Sequence, residues 1–365
     1  MMNPFNPSFG KLPQIFLDRT EQIESFINEL QNPDSPYQTS MIYGQRGSGK
    51  SSFMTAVIEH LEKMDNFLVI KVPSSKNILM SCTQAIYDKS RKKISKIFDA
   101  LEGLHISAFH FEFGYEKKES PSVNYLHDLE EMLMKLNERH VIVTICLDEV
   151  KESNDLIDFI EVYSILMEKN YPVRLIMAGL PQNISEIQNN DNLTFLLRAP
   201  RISLKNLDPS SVKYAYQKAF ENTGKIINHD SLMLMVKNVG GYAYAFQLLG
   251  YLVWKNTEQI ILKRDVIAIL DEYRALLYRN AYTKIFESVS QKDKEFLIAM
   301  AKDDSSSVPM KNISSLMNKS DRYVSVYRIR LIDAQIIEAT SYGHVGFLLP
   351  SFKDFVLERA ELFFD

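Results

Sequence analysis

The stretch Gly44-Gln45-Arg46-Gly47-Ser48-Gly49-Lys50-Ser51 decides the reading of this chain. Ahead of it runs a short apolar segment of strand character, Ser40 to Tyr43, and behind it Phe53, Val57, Leu61 and Met64 repeat at helical spacing. Strand, glycine loop, helix is the setting in which a phosphate-binding loop works. Glycines let the backbone wrap an anion with its N–H groups pointing inward, and the following helix adds the positive end of its dipole. Gly44, Gln45, Arg46, Gly47, Ser48, Gly49, Lys50, Ser51 and Ser52 are therefore the candidate nucleotide contacts. Among them Lys50 would reach the β- and γ-phosphates of ATP, and the Ser51 hydroxyl would ligate Mg²⁺. Three of only thirteen glycines fall between Gly44 and Gly49, in a chain where glycine is scarce.

Downstream, Val141-Ile142-Val143-Thr144-Ile145-Cys146-Leu147 is a continuous apolar run closed by Asp148-Glu149, as expected of a parallel strand buried on both faces. Such a run is weak evidence alone and specific after a phosphate loop. Asp148 would hold the Mg²⁺ through its water shell, and Glu149 would polarise the attacking water. Further strands are expected at Phe67 to Val72, at Val173 to Ala178 ahead of Gly179-Leu180-Pro181, and at Arg201 to Leu204. Asp18 and Glu21 read as a capping pair for a helix carrying Ile23, Phe26, Ile27 and Leu30 on one stripe. The alternation of strand-like and helical segments argues a parallel α/β sheet.

About 67 residues separate the second and third strands, more than a simple crossover needs. Lys89, Lys92, Lys93 and Lys96 share a helical face opposite Ile86, Ile94, Ile97, Phe98 and Leu101. A solvated outer face is the expected reading, with a phosphate-backbone contact as the alternative. Leu104 to Phe113 alternates like a strand and Glu116 to Ser120 reads as a polar loop. The segment reads as a family-specific insertion with no chemistry of its own.

Past residue 206 the pattern turns helical. Leu207-Asp208-Pro209 sets an N-cap with proline at the first helical position, and Gly224 closes that helix. A second helix is expected over Asp230 to Asn238, and Gly240-Gly241 then breaks the chain before Tyr242 to Lys255. The stripe Phe246, Leu249, Leu252 and Val253, next to the sole tryptophan, Trp254, reads as core packing. Asp265 to Glu287 has no breaker and predicts one continuous helix about 35 Å long. Beyond Ser290 come three short helices, Lys292 to Ala301, Pro309 to Met317 and Asp321 to Ala334. A hairpin follows, Ile336 to Thr340 paired with Val345 to Leu349 across Ser341-Tyr342-Gly343-His344. Three helices and a hairpin make a winged helix, which reads DNA with its third helix in the major groove. From Val308 to Arg330 there are five basic residues against Asp321 alone, which makes Lys319, Arg322, Arg328 and Arg330 the candidate DNA contacts.

On Gly44 to Ser51, Leu147-Asp148-Glu149, Met177-Ala178-Gly179-Leu180-Pro181 and Gly240-Gly241-Tyr242, the sequence resembles the AAA+ ATPases of the origin-recognition-complex-like group and their bacterial relatives near the signalling STAND NTPases. The resemblance implies an α/β fold with a P-loop NTPase (AAA+) parallel-sheet core over residues 1–206. It also implies an all-α lid with connecting helix over 207–288 and a C-terminal winged helix over 289–365. A nucleotide site between core and lid, commonly completed by an arginine from a neighbouring subunit, comes with it. Arg198, just before the fifth strand, matches that arginine-finger position, so Lys50, Glu149 and Arg198 are the candidate catalytic residues. Two departures stand out. Ala178-Gly179 occupies the end of the fourth strand, where a polar sensor is usual, and Gly241-Tyr242-Ala243-Tyr244 occupies the lid position of a sensor arginine. Both argue for slow hydrolysis.

Composition limits the rest. With 42 basic and 46 acidic residues the net charge is −4, too balanced for a whole-molecule nucleic-acid binder. Cys82 and Cys146 are the only cysteines and lack metal-site spacing, which points to free thiols in a reducing cytoplasm. The apolar runs are of strand length, too short for a membrane helix, and Met1 to Gln14 has no signal-peptide core. The expected function is an ATP- and Mg²⁺-dependent switch acting on duplex DNA. The alternative is a STAND-like signalling NTPase whose winged helix binds protein. Candidate partners are duplex DNA, a second copy of the chain and another protein.

Overall fold

The computed structural model describes residues 2–8, 15, 19–93 and 121–361. Asp18, Ile94 to Leu101 with Lys96, the strand-like run 104–113, the loop 116–120 and the side chains of Lys92 and Lys93 lie outside the described residues. The chain divides into two compact units. One comprises Thr20–Tyr43 and Phe53–Ser203, the other Met1–Arg19, Gly44–Ser52 and Leu204–Asp365.

The first unit is built on five strands, β1 (Thr39–Tyr43), β2 (Phe67–Pro73), β3 (Ile142–Asp148), β4 (Val173–Gly179) and β5 (Arg201–Ser203). Their order is β2-β3-β4-β1-β5, and every pair is parallel. Parallel pairing brings the C-terminal ends of all five strands to one edge of the sheet. All seven residues of β4 are buried, and so are the five central residues of β3. This double-sided burial explains why both strands read as unbroken apolar runs.

Around the sheet lie α1 (Thr20–Gln31), α2 (Lys50–Leu61), α3 (Ile78–Lys93), α4 (Pro121–Asn137), α5 (Asn154–Glu168) and α6 (Pro181–Gln188). A 3₁₀ stretch, Asp191–Arg198, leads into β5. The expected stripe of α1, Ile23, Phe26, Ile27 and Leu30, is buried. Met64, by contrast, falls beyond the end of α2 and is only half-buried. Arg174 interrupts the apolar run of β4, and it is accommodated by donating to Leu30 O at 3.3 Å and Gln38 Oε1 at 3.0 Å. Lys89 of the lysine face donates to Glu62 Oε1 and Val69 O, both at 2.7 Å, which suits the solvated-face reading.

In the second unit, Asp208 caps α7 (Pro209–Asn222) by accepting from the amides of Ser210 and Ser211 at 2.8 and 3.1 Å. Then come α8 (His229–Val239) and α9 (Ala243–Asn256). Two short parallel strands, β6 (Ile226–Ile227) and β7 (Ile260–Ile261), tie this helical region together. Phe5 sits against Tyr216, Phe220 and Phe246 with ring centroids 5.6, 5.3 and 5.6 Å away. It is 1% exposed, so it is a core residue supplied from far along the chain.

The connecting helix departs from the expectation of one unbroken element. It runs as α10 (Lys263–Leu277), opens into a π turn over Tyr278–Tyr282, and resumes as α11 (Thr283–Ser288). The cause is local: Thr283 donates both its amide and, at 3.0 Å, its hydroxyl to Tyr278 O, five residues back. The C-terminal region follows as α12 (Gln291–Ala301), β8 (Val308–Pro309), α13 (Met310–Met317), α14 (Asp321–Asp333), β9 (Ile337–Ser341), β10 (His344–Phe347) and α15 (Phe352–Glu361). Its small antiparallel sheet has the order β8-β10-β9. The terminal helix α15 was not expected from the sequence pattern. It packs Phe352 and Phe355 on the π-turn tyrosines, with Tyr282–Phe352 centroids 5.0 Å and Tyr278–Phe355 centroids 5.2 Å apart. Among the described residues no helix is long and apolar enough to cross a membrane.

Candidate functional site

The glycine loop and the first residues of α2 belong to the second unit, and every carbonyl from Gly44 to Ser48 has a donor. Lys50 Nζ donates to Gly44 O at 2.8 Å and Gln45 O at 3.0 Å, and the Ser48 amide also reaches Gln45 O at 3.0 Å. The Tyr242 hydroxyl donates to Arg46 O. The Tyr244 amide donates to Gly47 O at 3.0 Å, and Arg19 Nη2 to Ser48 O at 3.2 Å. Arg19 also bonds Lys205 O at 3.1 Å. Tyr242 is the N-cap of α9 yet offers no side-chain cap, so the loop carbonyl of Gly47 satisfies one of the helix's orphan amides instead. Gly47 has φ +79°, and a Cβ there would collide with the Tyr242 hydroxyl and stand 2.8 Å from Tyr244 Cβ. Only glycine fits both the backbone and the space.

Two polar atoms of this loop region have no hydrogen-bond partner among the described residues. Ser48 Oγ and Arg19 Nη1 are both buried without a hydrogen bond. Burial also pulls the Arg19 guanidinium down to about 10. Among the described residues no carboxylate forms an ion pair with it. Buried donors of this kind call for an absent acceptor, and an anion such as a nucleotide phosphate fits. Ser51 is exposed and Ser52 half-buried in the first turn of α2.

In the first unit, β3 ends in the carboxylate pair. Asp148 Oδ2 lies 3.3 Å from Lys71 Nζ, Asp148 Oδ1 accepts the Glu149 amide at 3.0 Å, and Asp148 O accepts the Ser74 hydroxyl at 2.6 Å. Glu149 is exposed and held at φ +56°, in the left-handed region that non-glycine residues avoid. Lys71 is a neighbour that the motif reading missed. Its signal was present as the one exposed residue among the first six of the otherwise buried β2. At the end of β4 the Val150 amide donates to Ala178 O at 2.9 Å, and a Cβ on Gly179 would stand 3.1 Å from Val150 Cγ2 and 3.2 Å from Ile184 Cδ1. Apolar packing thus surrounds Gly179 at the end of β4. Arg198 is exposed at the end of the 3₁₀ stretch, beside the 59% exposed Leu197.

The four basic candidates of the C-terminal region separate into two pairs. Lys319, just ahead of α14, and Arg322, in its first turn, are exposed. Arg330 is engaged in an ion pair with the buried Asp293 of α12 at 3.0 Å, and Arg328 is half-buried, its Nε enclosed without a partner. The outer face of α14 also carries two exposed aliphatic residues, Val326 and Ile329, 55% and 56% exposed. Among the described residues no group of three or more His, Cys, Asp or Glu side chains could hold a metal ion.

Comparison with known proteins accords with this architecture. A family described as an ATPase domain predominantly from Archaea matches residues 16–176, and a family described as a domain of unknown function matches residues 279–356. The fold is similar to that of a Walker-type ATPase of Pyrococcus abyssi, with TM-score 0.65 and 13% identity, covering 93% of this chain and 96% of that one. It is similar to the same degree, TM-score 0.65 and 13% identity, to the ORC2 protein of Aeropyrum pernix in its ADPNP–ADP complexes, covering 98% of this chain and 96% of that one. No curated protein matches the sequence. The phosphate-type loop, the parallel sheet of order β2-β3-β4-β1-β5 and the helical region after it lead to one conclusion: the chain has the fold of these Walker-type and ORC2 proteins, and its residues 16–176 match the ATPase domain family found predominantly in Archaea.

Proposed function

We propose that the chain binds Mg-ATP on residues Gly44 to Ser52 and uses slow hydrolysis to switch its lid, residues 207–288, and its C-terminal domain, residues 289–365, between two states. The ATPase core in this reading is residues 1–206. The observation that carries it is the pair of buried, partnerless donors at the loop, Ser48 Oγ and Arg19 Nη1. Loop amides and Lys50 would bind the phosphates. Ser51 and Asp148 would hold a hydrated Mg²⁺, which neutralises phosphate charge when bound. Glu149 would orient the attacking water and accept its proton, and Arg198 would act on the site of a second copy of the chain. The apolar end of β4 and the tyrosines of the lid supply no sensor charge, which favours slow turnover. Lys50→Ala is expected to abolish ATP binding measured by calorimetry; unchanged binding would overturn the reading.

The C-terminal domain, read as a winged helix, is proposed to contact duplex DNA through Lys319 and Arg322. A second reading, a STAND-like switch that contacts protein, is favoured by the exposed Val326 and Ile329 on the same helix. Filter binding of the full chain to duplex DNA over a salt series separates them. The DNA reading requires affinity that falls with salt and weakens in Arg322→Ala; affinity that does neither removes it. The two free thiols fit a cytoplasmic location.

A further inference from the structure

We propose that Tyr242 is the residue through which the lid positions the phosphate loop. The inference rests on the nucleotide reading above and concerns how that site is kept in order. Tyr242 is buried, and its hydroxyl donates to the Arg46 carbonyl while the Tyr244 amide donates to the Gly47 carbonyl at 3.0 Å. A planar trans peptide sets its C=O and N–H on opposite sides. Drawing the Arg46 carbonyl toward the lid therefore turns the Gly47 N–H away from it, the arrangement an anion-binding nest requires. Burial raises the phenol far above its usual range, so Tyr242 stays a donor at every working pH.

The same two tyrosines reach the C-terminal region. The Tyr242 ring lies 6.2 Å from that of Tyr282, and the Tyr244 hydroxyl accepts from Asn280 Nδ2 at 2.9 Å. Both partners belong to the π turn, a backbone irregularity often kept for function. From there the Tyr282 hydroxyl donates to Pro350 O, and the Tyr278 hydroxyl to Ser351 O at 3.2 Å. A chain of named contacts within one compact unit thus runs from the loop peptide Arg46–Gly47 to the start of α15. Tyr242 acts through the loop and is a positioning residue.

Calorimetric titration of the full chain with ADP tests this, comparing wild type, Tyr242→Phe and Tyr278→Phe. Tyr242→Phe keeps the ring contacts and removes only the donor, so ADP binding should weaken by about tenfold. Tyr278→Phe also loses a tyrosine hydrogen bond, but one remote from the loop, and should bind ADP like wild type. Hydrogen exchange at the amides of residues 351–355 should change on ADP addition in wild type and not in Tyr242→Phe. Wild-type ADP affinity in Tyr242→Phe, or equal weakening in Tyr278→Phe, would overturn the inference. Absence of ADP binding in wild type would instead overturn the nucleotide reading on which it stands.

Discussion

The ammonium of Lys71 lies 3.3 Å from the carboxylate of Asp148, joining the C-terminal ends of the neighbouring strands β2 and β3. A cation thus already stands beside the carboxylate that is proposed to hold hydrated Mg²⁺. The two compete for the same negative charge. With side-chain exposures of 46% and 16% the pair is partly screened, so its contribution is small. Replacing Lys71 by Met should lower the Mg²⁺ concentration for half-maximal ATP hydrolysis by about two- to fivefold. An unchanged Mg²⁺ titration would remove Lys71 from the account.

Glu149 combines an exposed carboxylate with a left-handed backbone at φ +56°. Glu149→Gln keeps that backbone burden and should retain ATP binding while phosphate release falls by about a hundredfold or more. Glu149→Gly relieves the strain and should raise stability by about 1 kcal/mol while also losing turnover. Equal turnover in wild type and Glu149→Gln would exclude Glu149 as the activating group.

Gly47→Ala meets two obstacles at once, the positive φ and the Tyr242 and Tyr244 side chains. The loop can relieve the clash only by moving away from Tyr242 and Tyr244. A loss of about 2 kcal/mol in denaturant unfolding is expected, together with weaker nucleotide binding. Wild-type values for both would contradict the close approach of lid and loop.

Both thiols are buried, and burial pushes the Cys146 thiol up to about 12 and raises that of Cys82 as well. Neither should react with a thiol reagent at pH 8 until the chain unfolds. The sign of the linked effect follows. An unfolded thiol ionises near 9 whereas the folded ones stay neutral, so stability is retained below pH 9 and declines as the pH rises toward 12. Rapid labelling of the native protein, or stability rising above pH 9, would count against this burial.

The strands and the glycine loop were legible because their signals are local. A strand buried on both faces leaves an unbroken apolar run, as Val143 to Leu147 does, and Gly47 marks a backbone that other residues avoid. The π turn was not legible, since Tyr278 and Tyr282 are spaced like an ordinary helical pair. Their partners Ser351 and Pro350 lie far along the chain. Phe5 escaped for the same reason: its aromatic neighbours come from α7 and α9. The charge count around α14 identified Arg328 and Arg330 as surface candidates, but charge counting cannot register that Asp293 of α12 engages Arg330. Lys71 was visible as a charge in an apolar strand, but its meaning depended on the register that pairs β2 with β3.

The π turn has an evolutionary consequence. It holds one residue more than the α-helix on either side of it, and each helical residue rotates the chain by about 100°. Deleting the single codon for Asn280 would let α10 run regularly into α11 with the bearing of the residues beyond Thr283 nearly kept, because a π turn takes up its extra residue as a local bulge. The turn is therefore a place where one residue can be gained or lost while the elements on both sides stay in place. What the loss of that codon removes is the contact that the bulge alone offers, Asn280 Nδ2 on the Tyr244 hydroxyl.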